Sequence, residues 1–171
     1  DMWRWTGIND KKAIWLGGIS GVAYMSIIEI LDGFSAEWGF STGDMLMNLA
    51  GAGLYVSQEL GWKEQRIQLK MSYFPYSYDP QDKARAMDLF GTSTAEKILK
   101  DYNAQTYWLS ANIHSFFPDS RIPRWLNLSL GYNARVMLGG TENSWTDDAG
   151  NTIDRTEVER YRRFFLSVDV D

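Results

Sequence analysis

Apolar and polar positions alternate with two different periods along this chain, and the change of period divides it. From Lys11 to Leu31 the apolar residues run almost without interruption: Ala13, Ile14, Trp15, Leu16, Ile19, Val22, Ala23, Met25, Ile27, Ile28 and Ile30. Asp10 stands where a helix N-cap is wanted, and the pattern predicts a helix. The charge-free run from Ala13 to Ile28 is shorter than the ~20 residues a spanning helix needs, so a buried helix is expected. Gly17, Gly18 and Gly21 give it a small-residue face that lets another backbone approach. A second helix is expected from Met45 to Leu60. Ser41 is its cap, Asp44 stands three residues on as in a capping box, Gly51 and Gly53 give a small face, and Gly61 is the stop.

The period then falls to two. Ile67, Leu69, Met71 and Tyr73 alternate with Arg66, Gln68, Lys70 and Ser72. Tyr107, Leu109, Ala111 and Ile113 share a face within Gln105 to Ile113. From Trp125 to Leu138, Leu126, Leu128, Leu130, Tyr132, Ala134, Val136 and Leu138 oppose Asn127, Ser129, Gly131, Asn133 and Arg135. Phe164, Leu166, Val168 and Val170 repeat the pattern near the other end of the sequence. These segments predict four strands. Pro75 to Phe90 and Gly139 to Arg160 read as long polar loops. Ser93 with Glu96 marks a capping box ahead of a short helix, Thr94 to about Tyr102.

Composition sharpens this pattern. The chain has 171 residues, no cysteine and one histidine, with a net charge of -5. The length fits one domain, 1–171, with a helical part over 1–61 and an antiparallel part over 62–171 that carries long loops at 75–104 and 139–160. A disulfide framework and a thiolate metal site are excluded, and an acidic balance without a basic run argues against nucleic acid. Aromatic residues are abundant, with 8 Trp, 9 Tyr and 8 Phe, as an interface or a membrane boundary would want. Fourteen residues of alternation from Trp125 to Leu138 exceed the ~9–11 of a bilayer-crossing strand. Apolar-out, polar-in strands with long loops are the pattern of an outer-membrane barrel. A soluble antiparallel sheet with one wet face gives the same alternation. Four strands cannot close, since known barrels begin at about eight, so further strands or a partner must cover the edges.

Chemistry-bearing residues are sparse. Glu29 and Asp32 stand three apart at the end of the first helix, and Asp44, Asn48, Tyr55 and Glu59 follow helical spacing along the second. Buried carboxylates need partners. Arg66, Arg135 and Arg163, with Lys70, lie on polar strand positions and are the candidates. Glu29, Asp32, Asp44, Asn48, Glu59, Arg66, Arg135 and Arg163 are therefore read as a structural polar cluster. The alternative is catalysis by Glu29, Asp32 and Asp44 as general acid and base or as oxygen ligands of a hard cation. His114 beside Ser115 is in no nucleophile-elbow sequence. No phosphate loop, dinucleotide fingerprint or zinc motif is present, and no cofactor or metal is expected. Both ends read as trimmed.

From Glu29 to Gly51 the sequence resembles the YfiM-like family, described as predicted periplasmic lipoproteins of unknown function. The residues that carry the resemblance are Glu29, Asp32, Phe40, Ser41, Asp44, Asn48 and Gly51. A looser similarity in the order Glu, Asp, Asn, Gly extends to VanZ-like membrane proteins. The segments Trp62–Lys70 and Lys100–Ser110 resemble the longer members found in Bacteroidetes. The family's upstream Asp-Lys…His segment is lacking here, and so is the cysteine that acylation requires.

Together these readings give an α+β expectation. An N-terminal apolar helix pair precedes antiparallel strands that form part of an outer-membrane β-barrel, with the helices packed against or inside it. The resemblance implies a protein of the Gram-negative outer membrane or periplasm. The function expected is a non-enzymatic accessory or structural subunit of an envelope complex, partnered by other envelope proteins and lipid. An envelope enzyme acting on lipid or cell wall is the alternative.

Overall fold

The structure is a computed structural model that describes residues 2–34, 41–140, 142–147 and 149–170. Of Asp32 only the backbone lies within that description, and Trp38 and Phe40 lie outside it. The chain divides into two compact units, Asp1–Arg66 and Ile67–Asp171, and each is taken by itself.

The first unit is helical: α1 (Met2–Trp5), α2 (Asp10–Gly33) and α3 (Thr42–Gly61). The cap of α2 is Asn9, not Asp10. Its side chain accepts from the Lys11 N–H at 2.9 Å and its carbonyl from the Ala13 N–H. The short α1, which no periodicity announced, is tied to α2 by Trp3 Nε1 donating to Ser20 Oγ at 3.0 Å. At 24 residues α2 is about 36 Å long. The expected burial of this helix does not occur: Trp15, Ile19, Tyr24, Ile27, Ile30 and Leu31 are all exposed. Among the described residues it is also the helix long and apolar enough to cross a membrane, over Asp10–Leu31. Only part of its glycine face meets α3. A Cβ on Gly18 would stand 2.5 Å from a Val56 methyl, and one on Gly17 3.3 Å from the Tyr55 ring. Gly21, Gly51 and Gly53 face open space.

The second unit carries one four-stranded antiparallel meander and a separate two-stranded hairpin. The meander strands are β1 (Ile67–Tyr73), β2 (Gln105–Asn112), β3 (Leu126–Arg135) and β6 (Tyr161–Val170). All four period-two segments are strands of one sheet. It is open, with β1 and β6 at its edges, and no closed barrel forms among the described residues.

Three boundaries differ from expectation. β3 ends at Arg135 rather than Leu138, because Val136 takes φ +61°, a conformation that turns a β-branched residue out of the extended region. Leu138 then drops into the small apolar core of its unit. β2 stops at Asn112, whose side chain caps a four-residue turn of helix, α6 (Ile113–Phe116). The segment 75–90, read as a loop, contains α4 (Lys83–Phe90), which buries Ala86 and Phe90 one turn apart.

Two other features hold together the segments between strands. The short helix after the capping box is α5 (Thr94–Lys100), and Ser93 and Glu96 make both reciprocal bonds. The segment 139–160 carries β4 (Ser144–Thr146) and β5 (Thr152–Asp154). Asp147 closes their turn by accepting from the Ala149 and Asn151 amides at 3.0 and 2.8 Å, with Gly150 at φ +83°.

Candidate functional site

The sheet buries the opposite face from that of an ordinary soluble sheet. On β3, Asn127, Ser129 and Asn133 are at most 1% exposed, whereas Leu128 and Leu130 are 43% and 56% exposed. The register aligns the apolar side chains in rows across all four strands. Leu69, Leu109, Leu130 and Leu166 form one row, and Met71, Tyr107, Tyr132 and Phe164 form the next. Every residue in both rows is exposed. Among the described residues, six buried apolar residues stand against thirteen buried polar or charged ones. Water normally drives the reverse arrangement.

Much of the covered polar face is hydrogen-bonded by its own side chains, although Asn127 Nδ2 and Arg135 Nε are buried without a partner among the described residues. Asp169 on β6 accepts from one residue of each other strand: Lys70 Nζ at 3.3 Å, Ser110 Oγ at 3.0 Å and Ser129 Oγ at 2.8 Å. Trp108 lies across Gly131, where a Cβ would come within 2.6 Å of its ring, and donates to Ser72 Oγ at 2.8 Å. Toward the β2 start, Arg163 donates to Asn133 Oδ1 at 2.9 Å, and the Asn133 amide donates to the Gln105 carbonyl. Arg135 donates to the Asn103 carbonyl and stacks on Tyr76, 4.9 Å from the ring centre. Asn103 is fully buried. It donates to Tyr78 Oη and the Met137 carbonyl and accepts from the Met137 amide.

In the first unit the acidic stripe falls at two separate places. Glu29 is buried and accepts from the Ser41 amide at 2.5 Å. Ser41 Oγ in turn accepts from the Asp44 amide at 3.2 Å. In a capping box the Asp44 carboxylate would hold that Ser41 amide, but Glu29 of α2 does so instead. Asp44 is exposed in the first turn of α3, and Asn48 is half-buried one turn on. Asp32 lies in the last turn of α2, its side chain outside the described residues. Glu59 is about 22 Å further along α3 than Asp44, by its 15-residue separation, so the stripe is not one site.

Glu59 is buried between Arg4 Nη2 at 2.7 Å and Gln65 Nε2 at 2.9 Å. Burial alone would raise its carboxyl, but the bonds from Gln65 and Arg4 outweigh it and hold the group below the usual carboxylate range. Arg66 pairs with Glu64 at 2.6 Å, stacks on Trp62, and donates its backbone N–H to Gln58 Oε1. Each acid and base of the expected cluster that the structure describes with a partner thus has one inside its own unit.

The residues support little chemistry. His114 Nδ1 faces the Ile122 carbonyl at 3.1 Å, and Ser115 is held by Asn112 Oδ1, so the two are separate structural groups. Among the described residues no cluster of His, Asp or Glu has the form of a metal site. Sequence reading missed Asn103 and Asn143. A lone asparagine in a polar segment carries no signal, and only the tertiary fold makes these two into hubs. Asp169 falls between the apolar positions Val168 and Val170, and its distance from Lys70 in sequence hides their pairing.

Residues 2–58 match a protein family described as predicted periplasmic lipoprotein, DUF2279. The match covers most of the helical unit and about a third of the chain. No curated protein and no solved structure matches the sequence.

Proposed function

We propose that the chain is a non-enzymatic structural or accessory component of a Gram-negative cell envelope, with its sheet forming part of an outer-membrane β-barrel. The inverted burial of the four-stranded sheet carries this reading. An apolar face of aligned leucines is stable against lipid and costly against water. The ten-residue strands β3 and β6 have the length a tilted bilayer-crossing strand needs, ~9–11 residues. The row Met71, Tyr107, Tyr132 and Phe164 corresponds to an aromatic girdle beside an aliphatic band. Asp169, Lys70, Arg135 and Arg163 take the role of lumen-side residues.

The periplasmic family matched over residues 2–58 agrees with an envelope location. In this reading the chain resembles the longer members of the YfiM-like group in Bacteroidetes and, more loosely, VanZ-like proteins. The Glu29 carboxylate is already used to anchor the start of α3, and this favours structure over catalysis. The partners proposed are other envelope proteins and lipid.

Expression in a Gram-negative host tests the reading. The protein is expected to stay with outer membranes through an alkaline wash and to migrate faster on a gel when unboiled. Recovery in the soluble periplasmic fraction would contradict it.

A further inference from the structure

The segment between β1 and β2 encloses a second feature, independent of how the sheet is used. A cavity of about 360 Å³ is walled by Tyr73, Pro75, Tyr76, Met87 and Phe90, with Lys83 and Lys97 among its lining residues. That volume lies within the ~300–1,000 Å³ of small-molecule sites, which are mostly apolar with a few placed polar groups. The aromatic wall is fixed by its own packing. Tyr76 and Tyr78 meet edge to face at 4.7 Å, and Tyr78 stacks on Phe90 at 6.0 Å.

The charges are arranged unequally. Asp101, the one acid in the lining, is engaged by Tyr78 Oη at 2.6 Å and by the Asn103 amide at 3.1 Å. Tyr78 is itself held neutral: burial and its bond to Asp101 push the phenol well above its usual range. The ammonium groups of Lys83 and Lys97 have no ion-pair or hydrogen-bond partner among the described residues. A third cation, Arg135, lies 4.9 Å from the Tyr76 ring. Arg135 is held by the Asn103 carbonyl, so the two lysine side chains are the lining cations that stand without an acid partner beside the aromatic surface.

We infer that this cavity binds a small molecule bearing one anionic group, a phosphate or carboxylate, on an aromatic or short aliphatic body. The ammonium groups of Lys83 and Lys97 hold the anion, and the Tyr76, Met87 and Phe90 surface takes the body.

Calorimetric titration of the full chain in neutral-detergent micelles tests this, with phenyl phosphate as probe and inorganic phosphate and phenol as its two halves. Phenyl phosphate is expected to bind at least tenfold more tightly than either half. The double variant Lys83→Gln, Lys97→Gln is expected to lose at least tenfold in affinity with an unchanged melting temperature. Lys83→Arg, Lys97→Arg is expected to retain binding within about threefold. Tighter binding of dihexanoyl phosphatidate than of phenyl phosphate assigns the natural anion to a lipid headgroup, and the reverse assigns it to a soluble acid. Equal affinity for inorganic phosphate and phenyl phosphate, or unchanged affinity in the Gln variant, overturns the inference.

Discussion

Asn143 illustrates how single polar side chains hold the second unit together. Its Nδ2 donates to the Val136 and Val158 carbonyls, both at 2.9 Å. Its Oδ1 accepts from the Leu138 amide and from Arg160 Nε, both at 3.0 Å. All four valences are used on groups that would otherwise be stranded. Asn143→Ala is expected to cost at least about 2 kcal/mol, because buried donors and acceptors are left unpaired. Urea unfolding followed by tryptophan fluorescence measures it. Glu59 gives a residue-scale test of pH dependence. Its folded pKa is lowered, so its stabilising contribution is complete above the ordinary glutamate range and is lost as pH falls through the lower folded value. The difference in melting temperature between the wild type and Glu59→Gln is therefore expected to be largest near neutrality and to shrink in acid. A difference that grows on acidification would refute the assignment.

At the scale of elements, close packing of α2 on α3 depends on two of the three glycines in its small-residue run. Gly18→Ala places a methyl 2.5 Å from Val56 and is expected to destabilise the hairpin, with Val56→Ala restoring it. Gly21 faces open space, and Gly21→Ala is expected to stabilise α2 by up to about 1 kcal/mol through helix propensity. Thermal melts monitored by circular dichroism distinguish the two. The sequence showed that a small face exists, but not which glycines use it, because that depends on the crossing point of the helices. The four strands were legible because a period of two survives any tertiary arrangement. The end of β3 was not, since Val136 continues the alternation while its backbone leaves the sheet. The helix α4 was hidden by its charged composition, although Ala86 and Phe90 at i, i+4 carried a faint helical signal. The candidate site was legible only in parts. The Glu29 carboxylate and the backbone amide of Asp44 both bind Ser41, whereas Glu59 belongs to a separate lock with Arg4 and Gln65. Helical spacing puts residues on one face without saying how far apart they lie.

For the whole molecule, the proposed membrane reading accounts for the alternation and for the aromatic residues on the sheet's apolar face. Rows of leucine and aromatic side chains lie outward while Ser110, Ser129, Asn127, Asn133 and Arg135 are covered. In water this distribution would forgo much of the hydrophobic stabilisation available to the strands. In lipid the outward rows meet hydrocarbon, and the polar face keeps its hydrogen bonds inside. The two open edges, β1 and β6, then require pairing, because unsatisfied backbone groups are costly in a bilayer. The absence of cysteine permits a direct test by single-cysteine spin labelling along β3 in reconstituted outer-membrane lipid. Labels at Leu128, Leu130 and Tyr132 are expected to be accessible to oxygen and shielded from a polar nickel reagent, with Ser129, Gly131 and Asn133 showing low oxygen accessibility. Accessibility to the nickel reagent at the leucine positions equal to that of a soluble surface would contradict the membrane-facing assignment.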